Sequence, residues 1–102
     1  MLKQSQGKQF HLHDWSLIGF YINWQQAIIE IELLYDTGKA RILIKDFTTL
    51  DVSQKNDWGK SISINSSNGP LSLENGLMSL EIEMQSGDLI KIEGKNFELW
   101  KD

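Results

Sequence analysis

Leu71–Gly94 reads LSLENGLMSLEIEMQSGDLIKIEG, and its alternation decides the fold class. Apolar residues occupy every second position from Met78 to Met84 and return at Ile90 and Ile92, the period of a strand with one buried and one wet face. Turn residues stand where the alternation breaks. A three-residue loop Ser86-Gly87-Asp88 sets Ile82 opposite Ile92, Met84 opposite Ile90 and Glu83 opposite Lys91, which gathers the apolar side chains on one face and joins opposite charges on the other. A two-residue loop would oppose Ile82 to Lys91. Upstream, Asn75-Gly76 suits a two-residue type I′ turn that faces Leu73 to Met78 and Leu71 to Leu80. The two hairpins share one apolar parity and predict a three-stranded meander.

Working outward, AIIEIELLYDTGKARILIKDF (Ala27–Phe47) predicts a further hairpin. An even loop from Asp36 to Lys39 pairs Tyr35 with Ala40, Leu33 with Ile42, Ile31 with Ile44 and Glu30 with Lys45. A helix is the rival, because Trp24, Ile28, Ile31 and Tyr35 also fall near helical spacing; the β-branched content favours strands. WSLIGFYIN (Trp15–Asn23), KSISINS (Lys60–Ser66) and NFELW (Asn96–Trp100) are additional strands, with DVSQKNDWG (Asp51–Gly59) and NSSNGP (Asn65–Pro70) as the longer loops. The expected class is therefore all-β: a small antiparallel β-sandwich or partly open barrel of seven to eight strands built from meander hairpins, since a flat sheet would leave one apolar face in water. Residues 1–102 are expected to form one domain, and a chain of this length buries only about two-thirds of its unfolded surface.

Composition narrows the function classes. The chain has no cysteine, so disulfides, thiolate zinc sites and cysteine nucleophiles are excluded, and a reducing, cytoplasmic setting is expected. The N-terminal MLKQSQGKQF lacks the apolar run of a signal peptide, and no stretch approaches the roughly 18 apolar residues that span a bilayer; no membrane association is expected. The Asn65-Ser66-Ser67 sequon has no chemistry without secretion. The net charge is −4, spread as single carboxylates among lysines, and there is no basic stripe for a nucleic acid. Charge would steer a basic partner toward this protein.

The chemistry-bearing patterns are incomplete. In FHLHDW (Phe10–Trp15), His11 and His13 are two residues apart and are the candidates for a metal pair, but they are the only histidines and no carboxylate or third histidine follows at the required spacing. Phe10, Trp15 and Asp14 are expected to position a strand over the core. Trp58-Gly59-Lys60-Ser61 resembles the end of a phosphate loop, yet Gln54 stands where the first glycine belongs and a strand follows where a helix is needed. Gly59 permits a tight turn. No serine lies in a nucleophile elbow. Glu81, Glu83 and Glu93 fall on the wet face of the meander, with Glu81 expected opposite Glu93, where exposed carboxylates repel weakly. No enzyme activity and no cofactor are expected. Trp15, Trp24, Trp58 and Trp100 are many for this length; most should be core, with one or two free to anchor a partner. Trp58 with the hairpin residues Gln85, Ser86 and Asp88 is the candidate binding surface.

Taken together, FHLHDW, DWGKSISIN (Asp57–Asn65) and LEIEMQSGDLIKIEG (Leu80–Gly94) resemble an uncharacterised family of small bacterial proteins with an aromatic-His-Asp start, a Trp-Gly-x-Ser-x-x-Ile-Asn segment and an Ile-Glu-Met-Gln-Ser-Gly-Asp hairpin. The matching residues are His13 and Asp14; Trp58, Gly59, Ser61 and Asn65; and Glu83, Met84, Gln85, Ser86, Gly87 and Asp88. Of these, His13, Asp14, Gly59, Ser61, Asn65 and Gly87 read as structural. Asp57 stands where that pattern has a proline, and His11 extends its first motif. The resemblance implies a β domain without established activity, and a looser likeness to immunity proteins of bacterial toxin systems implies a protein partner. The expected function is a non-enzymatic domain that binds another protein, with a basic toxin domain as the leading partner. A self-associating structural protein, with a homodimer as its simplest form, and a small metal- or ligand-binding protein using His11 and His13 are the alternatives.

Overall fold

The alternation becomes strands throughout. The computed structural model of the chain describes residues 2–3, 9–55 and 62–102. Its strands are β1 (Leu2–Lys3), β2 (Ser16–Asn23), β3 (Ile28–Tyr35), β4 (Gly38–Val52), β5 (Ile64–Ser72), β6 (Met78–Met84) and β7 (Leu89–Lys101). All pairings are antiparallel, and the described residues contain no helix. The helical rival over Trp24–Tyr35 is thus replaced by β3, whose Ile28, Ile29 and Ile31 favour extended backbone. The order in the sheet is β2-β3-β4-β7-β6-β5, and the two-residue β1 joins β7 off this path. Two meanders, β2–β4 and β5–β7, are sewn together along β4 and β7.

These two long strands carry the bend. At about 3.3 Å per residue a straight β4 of 15 residues would reach about 50 Å, beyond the 36 Å longest dimension of the molecule. The turn falls at Asp46, whose φ is 54°, where the β4–β7 register skips between Phe47 and Thr49 and Phe47 stands opposite Gly94. NFELW is consequently not a separate strand but the far half of β7. Curling brings the inward residues of both meanders, among them Ile31, Ile42, Ile82, Ile92 and Phe97, into one buried cluster. The two ends of the sheet meet at a bridge between Ser16 of β2 and Ser63, just before β5. Beside it Leu17 N donates to Ile62 O at 2.7 Å and Ile64 N to Trp15 O at 2.8 Å.

The β3–β4 and β6–β7 hairpins keep the expected faces and shift the register by two residues, while β5–β6 shifts by one, which takes Leu71 off the face of Leu80. Between β6 and β7 the loop is Gln85-Ser86-Gly87, closed by Met84 N to Asp88 O and Gly87 N to Met84 O, both 2.9 Å. Ile82 faces Ile90 and Leu80 faces Ile92, rather than Ile82 facing Ile92. The cause is Gly87, which takes φ 90° as the last loop residue, the left-handed bulge position that follows a type I turn. Lys91 therefore pairs with Glu81, Nζ to Oε1 at 3.9 Å, not with Glu83, and Glu93 faces Ser79, so the expected Glu81–Glu93 opposition does not exist. The β5–β6 loop likewise has three residues, Glu74-Asn75-Gly76, closed by Leu73 N to Leu77 O at 2.8 Å. Asn75 Oδ1 accepts from Leu77 N at 3.1 Å, a local turn that replaces the expected type I′ geometry, and Leu71 faces Ser79. Between β3 and β4 the even loop shrinks to Asp36-Thr37. Tyr35 then faces Gly38, Leu33 faces Ala40 and Ile31 faces Ile42, a two-residue slip that leaves every side chain on its expected face.

NSSNGP is not a loop. It lies inside β5, whose pairing with β6 skips at Ile64/Ser66 and again at Asn68/Leu71, and Pro70, which has no N–H to offer, sits in the second gap.

Candidate functional site

Two regions gather the residues that the sequence singles out. The first is the Phe10–Trp15 segment, which is not a ladder strand; it runs along β5 as a strap. Phe10 N donates to Gly69 O at 2.8 Å and Asp14 N to Ile64 O at 2.9 Å. Ser67 Oγ donates to Phe10 O at 2.7 Å and accepts from Leu12 N at 3.2 Å. Phe10 and Leu12 enter the core, while His11 and His13 are exposed. His13 Nδ1 donates to Asn65 O, and its Nε2 lies 3.3 Å from Asp14 Oδ2. Asn65 Nδ2 in turn donates to Glu83 Oε1 at 2.8 Å. His13, Asp14, Asn65 and Glu83 thus meet on one surface, drawn from three separated segments. Among the described residues no group of three or more His, Asp or Glu side chains is placed to hold a metal. Both ring nitrogens of His13 face protein oxygens.

The second region is the β6–β7 tip. Asp88 is only 8% exposed: its Oδ1 accepts from Lys55 N at 2.6 Å and its Oδ2 from Ser86 Oγ at 2.8 Å. Gln85 N donates to Ser63 O at 2.9 Å. The carboxylate therefore fastens the chain after β4 to the hairpin. We expect Asp88→Ala to lower stability by about 2 kcal/mol, because the Lys55 N–H and the Ser86 hydroxyl lose the charged acceptor they share; urea denaturation and faster amide exchange at Lys55 would show it. Trp58, Gly59 and Ser61 lie outside the described residues.

The remaining tryptophans divide by environment. Trp15 stacks on Tyr35 with centroids 5.2 Å apart, and Lys101 Nζ sits 5.3 Å and 5.2 Å from the two rings. Trp100 Nε1 donates to Glu98 Oε1 at 3.1 Å, and the Glu98 carboxylate, nearly buried, also meets Lys45 Nζ at 3.4 Å. Trp24 differs: in the β2–β3 turn it is 84% exposed, touching Phe47 edge-on at 6.2 Å.

Trp24 continues a surface that the sequence reading did not mark. On β2, Ile18 is 50%, Tyr21 61% and Ile22 45% exposed. Among the described residues β2 ends the strand order, with no ladder on its outer side beyond the contacts of Ser16 and Leu17 with Ile62 and Ser63. Soluble β domains usually place charge or proline on such an edge, yet Trp15–Ile29 contains neither. That charge-free run was the available signal.

Fold and edge together define an antiparallel all-β sheet whose β2 end exposes apolar side chains. No family model, no curated protein and no solved structure matches the chain. No helix among the described residues is long and apolar enough to cross a membrane.

Proposed function

We propose that the protein is a non-enzymatic, cytoplasmic protein-binding domain that engages another polypeptide along β2 and the Trp24 turn. One observation carries this reading: Ile18, Tyr21 and Ile22 of β2 and Trp24 of the turn that follows stand exposed, and among the described residues no strand pairs with the outer side of β2 beyond Leu17. Such an edge offers a row of main-chain hydrogen bonds for affinity and side chains for selectivity, and exposed tryptophan and tyrosine are the residues that most often dominate binding energy.

Immunity-type binding of a basic toxin domain is the finer form of this reading. It draws on the resemblance stated above, on the net charge of −4, and on where the carboxylates stand. On the outer face of the β5–β7 half, Asp51 and Glu81 flank Lys91 across the ladder, and Glu83 and Glu93 share their side. On the other half, Glu30 is paired with Arg41 at 3.0 Å. A sandwich-like or partly open barrel is our reading of how the curled sheet supports both surfaces. Metal or ligand binding through His11 and His13 draws no support from the geometry.

The test compares tagged wild type with Tyr21→Ala/Trp24→Ala, each recovered from native cells. One stoichiometric partner bound by wild type, and at least about tenfold less by the variant, is the expected outcome. Equal recovery by both, or no partner, overturns the reading.

A further inference from the structure

We infer that Asn75 is a site of spontaneous covalent modification, where the side-chain amide closes onto the Gly76 nitrogen and is hydrolysed to aspartate and isoaspartate. The chain's other Asn-Gly pair, Asn68-Gly69, is protected by the fold. The inference concerns the β5–β6 turn and is independent of the β2 edge.

The chemistry needs only the two residues and water. The Gly76 nitrogen attacks Asn75 Cγ; the N–Cγ bond forms, the Cγ–Nδ2 bond breaks, and the proton of the attacking nitrogen leaves with Nδ2 as ammonia. A cyclic succinimide results. Water then opens the ring. Breaking the new N–Cγ bond restores the main chain and leaves aspartate, whereas breaking the bond from the nitrogen to the Asn75 carbonyl carbon reroutes the chain through Cγ as isoaspartate. Water is taken up, ammonia is released, and nothing is oxidised or reduced.

Glycine favours this reaction because it has no Cβ to hinder the attacking nitrogen and because its backbone turns freely. The chain contains Asn-Gly at Asn68-Gly69 and at Asn75-Gly76, and the structure separates them. Asn75 and Gly76 are both exposed in their loop. Nothing lies within 4 Å of the place a Gly76 Cβ would take, so the turn has room to rotate. Asn75 Oδ1 already folds forward onto Leu77 N at 3.1 Å, which curls Cγ toward the Gly76 peptide. The Gly76 N–H is held by Leu73 O at 3.3 Å, longer than the roughly 3.2 Å limit of ordinary N–H···O bonds.

Asn68 carries an equally exposed amide on a backbone that is wedged in place. It faces Glu81 in the β5–β6 ladder, and Gly69 is buried. A Cβ on Gly69 would stand 2.3 Å from Ser79 O and 3.1 Å from Leu80 Cα, and Gly69 O accepts from Phe10 N at 2.8 Å. Ring closure requires rotation about the Asn68 Cα–C bond, which would swing Gly69 out of this slot. β5 must therefore leave β6 before Asn68 can react, and opening a strand inside a sheet costs more than opening a turn.

The product alters the β5–β6 turn. A carboxylate at position 75 stands beside Glu74, and isoaspartate adds a main-chain carbon to the loop that Leu73 N and Leu77 O close.

Incubation at mildly alkaline pH, with peptide mapping by mass spectrometry and separation of the acid isomers, tests this. The same chain in urea, where neither pair is held, is the reference, and incubation continues until that unfolded chain has reacted at both pairs. The expected result for the folded protein is amide loss at Asn75 at least about tenfold faster than at Asn68, with the two rates converging in urea. Isoaspartate should accompany aspartate at position 75. Gly76→Ala, which places a Cβ beside the attacking nitrogen, should slow the loss at Asn75 and leave Asn68 unchanged. Equal loss at both pairs in the folded protein overturns the inference, as does an Asn75 that stays intact there while the unfolded chain reacts.

Discussion

Gly69→Ala is expected to cost about 2 to 5 kcal/mol, a large share of the roughly 5–15 kcal/mol that holds a domain together. Gly69 has φ 121°, and a Cβ there would lie 2.3 Å from Ser79 O, 3.1 Å from Leu80 Cα and 3.2 Å from Leu71 N. All three are backbone atoms, so no side chain can swing aside. The left-handed backbone costs a non-glycine residue about 1–2 kcal/mol, and forcing β5 from β6 adds about 1–3 kcal/mol of overpacking. The strap suffers as well, because Gly69 O holds Phe10 N. Gly76→Ala provides the comparison: φ is 83° but nothing lies within 4 Å of the new Cβ, so only the backbone cost of about 1 kcal/mol applies. Urea denaturation of the pair separates clash from conformation. Equal losses would show that the contact with Ser79 relaxes freely.

Phe10→Ala should be comparably severe, about 3–5 kcal/mol. Phe10 is among the largest fully buried side chains, and it anchors a segment that is not in the ladder. Its loss should free the amides of Leu12 and Asp14 to exchange and uncover β5, leaving both ends of the sheet open to other chains. The neighbouring His11→Ala/His13→Ala change should stay within about 1 kcal/mol, as is usual for exposed positions. A double histidine variant as unstable as Phe10→Ala would contradict the division of this segment into buried anchors and solvent-facing imidazoles.

The contrast between those neighbours shows what the residues reveal unaided. Alternation reports parity, so the inward faces of β3, β4, β6 and β7 were legible from Ile31, Ile42, Ile82 and Ile92. Register was not. A slip of two residues preserves every face, and the choice between Ile82–Ile92 and Ile82–Ile90 was made by which loop position Gly87 takes. Composition misled at Asn65–Pro70, where residues typical of loops occupy a strand whose ladder is interrupted. The uncovered side of the molecule was hidden for another reason. The neutrality of Trp15–Ile29 is visible in the chain, but that β2 is terminal follows from β4 pairing with β7, whose partners run from Val52–Ile90 to Ala40–Lys101 and are far apart in sequence. Lys55 N gave no sign that Asp88 would receive it, because a backbone donor carries no sequence signature.

The β4–β7 seam also orders events during synthesis. Until Leu89–Lys101 has been translated, the first meander stands with its Ile42 and Ile44 strand unpartnered on one flank and β2 bare on the other. Non-local pairing of this kind is slow to form, and nascent sheets with two open flanks are prone to the wrong neighbour. The newborn chain should thus depend on shielding, by the ribosome or a chaperone, until its final strand arrives.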